Sequence, residues 1–140
     1  MGILADIFVS TEEDALLYDP LDERPADHYD VVQYKRFTSL EFGTLWAIID
    51  REKWDVKRHV LRHISHSDEG EQWLEAFPAE LVAKLATLPD DGLDGLATAW
   101  GKTEELQWDG ALLLPVLVDL RRLANAAQAS SRGMYLWGSL

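Results

Sequence analysis

Leu113, Val116, Leu117, Leu120, Leu123, Ala124 and Ala127 share one face of a helix for four turns. An apolar stripe this long and this wide cannot face water, so other elements must form a layer against it. The spacing therefore predicts a terminal helix at the centre of a packed domain. Asp109 is its candidate N-cap, and Pro115 follows six positions on. A proline there removes a backbone donor, so the regular helix either starts near Pro115 or bends at it. Gly133 is the predicted C-terminal stop.

The layer can be sketched from the rest of the chain. Ile3 to Val9 is β-prone and precedes a helix-start signal, which reads as a first strand. Thr11 and Asp14 stand at capping-box spacing ahead of a short helix through Leu17. Asp19 to His28, with two prolines, reads as an acidic loop, and residues 29–37 as a second strand. Thr38 and Glu41 form a full capping box, behind which Phe42, Leu45, Trp46 and Ile49 repeat at helical spacing. Trp54 to Ser65 reads as helix, and Glu71 to Phe77 as one or two further turns. Pro78 suits a first helical position before the stripe Leu81, Val82, Leu85 and Leu88. Pro89 to Gly92 is a turn, and Leu93, Leu96, Ala97 and Trp100 resume the helical register. The apolar run Met134 to Leu140 reads as a closing strand or a docked segment. The expectation is an α+β fold, mostly helical, as a single domain over residues 1–140. Its small sheet would draw on the N-terminal strand, residues 29–37 and, in the strand reading of the ending, the C-terminal segment.

Charge narrows the function. The chain has 140 residues, 25 acidic against 13 basic, a formal charge of −12 and no cysteine. Nucleic acid is excluded as an expected ligand, because binding it needs a positive field that releases counterions from phosphates. An anionic membrane surface is excluded on the same ground, and no apolar run reaches the length of a bilayer-spanning helix. The lack of cysteine excludes a disulfide scaffold, a thiolate zinc site and a cysteine nucleophile. The first residues carry no basic segment of a signal peptide, so the expected location is cytoplasmic.

Four segments are familiar together: Phe77-Pro78-Ala79-Glu80-Leu81-Val82; Leu96-Ala97-Thr98-Ala99-Trp100 with Glu104-Glu105-Leu106; Leu120-Arg121-Arg122-Leu123-Ala124; and Tyr135-Leu136-Trp137-Gly138-Ser139-Leu140. They resemble a widespread group of small bacterial proteins of unassigned function, most closely in the C-terminal half. The resemblance implies a fold and no active site. Small, acidic, one-domain chains also look like the immunity partners of secreted bacterial toxins.

Two surface features could carry function. Residues 11–30 hold eight acids against Arg24 alone, a net −7. Such a stretch can dock a basic partner, with Asp19, Asp22, Glu23 and Asp27 as the candidate contacts, or pair within the fold with the basic stretch 51–62. Among six tryptophans, Trp46 and Trp100 fall on core stripes, while Trp73, Trp108 and Trp137 are candidate interface anchors. The second feature is a stripe of Asp55, His59, His63 and His66, which on a helix would span a sector of roughly 80° facing away from the core. Its spacing suits Zn²⁺, Ni²⁺ or Co²⁺, and Arg58 and Arg62 beside it oppose a dication. The expectation is therefore no metal and no cofactor, with this stripe as the alternative metal site. Known phosphate-loop, nucleophile-elbow, zinc-protease and dinucleotide motifs are missing from the sequence. The leading functional expectation is a non-enzymatic protein-binding domain, of immunity type, that meets a basic partner through its acidic surface. A metal-dependent protein is the alternative, and a homo-oligomer joined through exposed tryptophan is a third reading.

Overall fold

The computed structural model describes residues 3–19 and 30–140. The fold is α+β: five strands form one antiparallel sheet, and the longer helices cover one of its faces. The strands are β1 (Leu4–Ser10), β2 (Val31–Lys35), β3 (Arg62–His66), β4 (Gln72–Ala76) and β5 (Gly133–Ser139). Their order across the sheet is β2-β1-β5-β4-β3. The first and last strands therefore lie side by side at the centre, with Leu4 opposite Ser139 and Ser10 opposite Gly133. This position explains why the ending is so apolar. Met134, Tyr135 and Leu136 are all buried, because a central strand is covered on both faces.

The helices are α1 (Glu12–Ala15), α2 (Ser39–Asp50), α3 (Ala79–Ala86), α4 (Leu93–Gly101) and α5 (Gly110–Ala129). The expected capping box opens α2: the Leu40 N–H donates to Thr38 Oγ1 at 3.3 Å, and the Thr38 N–H donates to Glu41 Oε2 at 3.3 Å. The seven stripe residues of α5 are its buried ones. They join Ala5, Ile7 and Val9 of β1, Leu136 of β5 and the apolar faces of α2, α3 and α4 in one core. At about 25 cal/mol per Å² of apolar surface, this layer contact is the dominant stabilising contribution.

Several sequence expectations are corrected here. Residues 54–65 are not a helix. They form turns and then β3, an edge strand whose polar, charged sequence discourages pairing with other chains. Residues 71–77 are not helical turns but contain β4, where Trp73 and Glu75 alternate with buried Leu74 and Ala76. The second strand is shorter than 29–37. Phe37 lies beyond it, buried against Phe42 and Trp100. The terminal helix neither starts at Pro115 nor stops at Gly133. Asp109 caps it by accepting the Ala111 N–H at 2.9 Å, and it runs through Pro115 to Ala129. Pro115 and Ala111 are both exposed, so water can satisfy the carbonyl that Pro115 cannot bond. Ser131, at φ 56°, makes the left-handed exit, while Gly133 begins β5.

The other sheet face carries a smaller cluster: Phe8, Leu74, Ala76 and Tyr135, covered by Ala15 and Tyr18. After β1 the chain turns through α1 and doubles back across this face. Tyr18 stacks on Phe8 with ring centroids 4.1 Å apart.

Candidate functional site

Among the described residues, the returning segment leaves part of the second sheet face open as a groove of about 690 Å³. Its floor is formed by side chains that the register places next to one another. Asp6 of β1 sits between Gln33 of β2 and Trp137 of β5. Leu4, Ser139 and Gln72 extend the floor towards one end of the sheet, and Tyr18 and Asp19 form a wall. Asp6 is 4% exposed. Its Oδ2 accepts the Tyr18 hydroxyl at 2.6 Å and the Gln33 amide at 3.4 Å. Among the described residues no donor bonds its Oδ1 and no cation lines the groove. A buried carboxylate without a cation is costly unless something compensates it. Here two neutral donors share one oxygen, and the other remains available.

The β3–β4 hairpin that leads into Gln72 is acidic. It brings Asp68, Glu69 and Glu71 beside Gln72, and the Leu140 N–H donates to the Glu71 carbonyl at 2.9 Å. Among the described residues none of these three carboxylates is in an ion pair. Lys35 is on the same sheet face, opposite Leu4, at the outer edge.

The sequence-predicted metal stripe does not form. Its premise was a helix over 54–66, and the four residues fall in different settings. Asp55 is exposed, and its carboxylate accepts the Lys57 N–H. His59 is buried edge-on to Trp46, not turned outward. His63 and His66 are on β3, with Nε2 and Nδ1 3.0 Å apart, on the exposed edge strand. The β-bulge between His63 and Ser65 brings these two rings together.

A different group, Asp50, Glu52 and His59, gathers its donor atoms within 4.8 Å. Its hydrogen bonding is that of an ion-pair network. Asp50 is held between Lys84 and Arg58, and Arg58 also reaches Glu52 at 3.0 Å and Glu80 at 3.2 Å. The Arg58 guanidinium lies 5.4 Å over Trp46. His59 Nδ1 accepts the Asp55 N–H at 3.0 Å, so the hydrogen of the neutral ring sits on Nε2, 3.4 Å from Glu52 Oε2. A metal needs the lone pair that this tautomer places on the other nitrogen. The group is built as a clamp that ties the 51–60 loop to α2 and α3.

The remaining candidates separate. Asp19 lines the groove; Asp22, Glu23 and Asp27 lie outside the described residues. Trp73 lies over Gly138, where an added Cβ would come within 2.3 Å of its indole, and it lines a second, smaller pocket with His66 and Trp137. Trp108 packs edge-on to Phe37 at 5.6 Å, against the helical core. The acidic and basic stretches do meet, through Arg62 and Glu12, but Arg58 pairs elsewhere. Asp6 and Gln33 were not singled out by sequence, whereas Trp137 was one of three tryptophans read as candidate interface anchors. The one available signal was an acid at the middle of an apolar strand. Among the described residues no helix is long and apolar enough to cross a membrane. No protein-family model, curated protein or solved structure matches the chain.

Proposed function

We propose that this chain is a non-enzymatic protein-binding domain that neutralises a basic partner protein, in the manner of an immunity protein, through the acidic end of its second sheet face. The observation that carries this reading is the groove floored by buried Asp6 and walled by Asp19, with the acidic hairpin residues Asp68, Glu69 and Glu71 just before Gln72 of its lining in the chain. The net charge of −12 supports it, because a negative field steers a basic partner and repels nucleic acid. Much of the basic charge is engaged internally: Arg58, Arg62, Lys84, Arg121 and Arg122 all pair with carboxylates. The reading places the protein in the cytosol, in keeping with the absence of cysteine.

The test uses a lysine-rich and an arginine-rich peptide as probes. Association should be fast at low salt and fall steeply as salt rises. In the combined variant Asp68→Asn, Glu69→Gln and Glu71→Gln, the on-rate for both peptides should fall several-fold and its salt dependence should flatten. An unchanged on-rate in a variant with an unchanged circular dichroism spectrum would remove this face from the interface.

A further inference from the structure

Resting on that reading, we infer that the groove is a guanidinium pocket, which receives one arginine side chain of the partner between the Trp137 indole and Asp6 Oδ1.

The chemistry of the lining selects this ligand. Asp6 is buried at the centre of the sheet, where a carboxylate is tolerated only with strong compensation. Tyr18 and Gln33 both bond Oδ2, which fixes the carboxylate and leaves Oδ1 as the acceptor on offer. Trp137 lies directly across from Asp6 in the register, and its ring centroid is 6.2 Å from that of Tyr18. An indole beside a fixed carboxylate provides the two things a guanidinium uses: a flat π-face to stack on and an oxygen to receive its N–H groups. Ser139 and Gln72 line the same cavity, so further N–H groups of the ligand have neutral oxygens within the groove. An ammonium is a less good match. It is more strongly hydrated and has no plane to stack, so it gives up more on entering a buried site. A volume of about 690 Å³ accommodates a whole arginine side chain and part of its backbone.

The pocket differs from the acidic hairpin in what it discriminates. The hairpin carboxylates act at long range on any positive chain. The floor acts only on a side chain that enters, and it reads planarity and charge together.

The experiment follows tryptophan indole resonances by NMR during titration with N-acetyl-arginine amide, with N-acetyl-citrulline amide and with N-acetyl-lysine amide. Citrulline keeps the planar shape without the charge, and lysine keeps the charge without the plane. The arginine derivative should shift the Trp137 indole and saturate, at least about tenfold more tightly than either control. Asp6→Asn preserves the acceptor for Tyr18 and should abolish that preference. Trp137→Leu leaves the carboxylate in place and should weaken arginine about tenfold, read on the Gln33 side-chain amide; it also covers the case in which Asp6→Asn fails to fold. No saturable shift with arginine, equal binding of lysine or citrulline, or retained preference in a folded Asp6→Asn protein would each overturn the pocket. These outcomes are separate from the peptide test above. If oligolysine still binds with steep salt dependence while the arginine derivative shows no preference, the acidic docking face stands and the guanidinium pocket falls. If neither binds, both fall.

Discussion

At the scale of single residues, Glu75 shows how the fold alters a side chain that the sequence leaves ordinary. It is half-buried on β4, opposite His63 of β3 and Leu136 of β5, and burial raises its carboxyl above the usual value of 4.5. In the unfolded chain the group returns to that value. The folded form therefore holds the proton more tightly, and stability falls as pH rises from about 4.5 through the folded value. Glu75→Gln is expected to raise the melting temperature near neutral pH, with the gain shrinking as pH drops below 4.5. Thermal melts across that range check it; a gain of equal size at every pH would assign the effect to packing. His59 carries a second residue-scale prediction. Its Nδ1 accepts a backbone N–H, and its carboxylate neighbours are engaged by Arg58 and Lys84. Elemental analysis of untagged protein should find far less than one transition metal per chain, and chelator should leave the melting temperature unchanged. One tightly held metal per chain, lost in His59→Ala combined with His63→Ala, would overturn the tautomer argument.

Among the elements, β5 is the one whose removal should matter most. It pairs with β1 along seven residues and with β4 along five, and it is buried on both faces. Deleting residues 134–140 would split the sheet into two hairpin-like halves and leave two inner edges unpaired. The expected outcome is aggregation or loss of cooperative melting. Leu136→Ala offers a measurable version: Leu136 is 0% exposed, and its truncation should cost roughly 2–5 kcal/mol in denaturant unfolding. A truncated chain with an unchanged melt would mean that the C-terminal segment is not needed to hold the sheet. The elements also differ in how readable they were. The α2 capping box and the α5 stripe are local patterns, and both appear in the structure with the residues they named. β3 and β4 have no comparable local signature. Gln72–Ala76 is too short to separate strand from helix by period, and what makes it a strand is its pairing with β5.

For the whole molecule, charge and topology act together. Helices cover one sheet face over β2, β1 and β5; among the described residues the other face is shared between the returning α1–Tyr18 segment and the groove. The internal ion pairs draw largely on arginine, so the excess of carboxylates is expressed outward. Asp19 and Asp6 are 13 residues apart in sequence, yet the turn through α1 brings them to the same cavity. Asp19 of the acidic stretch thereby shares a cavity with Gln72, which follows the acidic hairpin at residues 68–71.

The sequence by itself determined the α+β class, the capped helices, the apolar stripes and the structural weight of the ending, because each depends on neighbours within a few positions along the chain. The tertiary structure alone decided where the histidines and Asp6 would stand. His59 is buried because Gly43 lets the loop approach α2 so closely that a Cβ there would lie 2.1 Å from the His59 carbonyl oxygen. Asp6 becomes the floor of a groove because β2 and β5 pair on either side of β1. Strand pairing joins residues more than a hundred positions apart, and no local periodicity encodes which of them will meet.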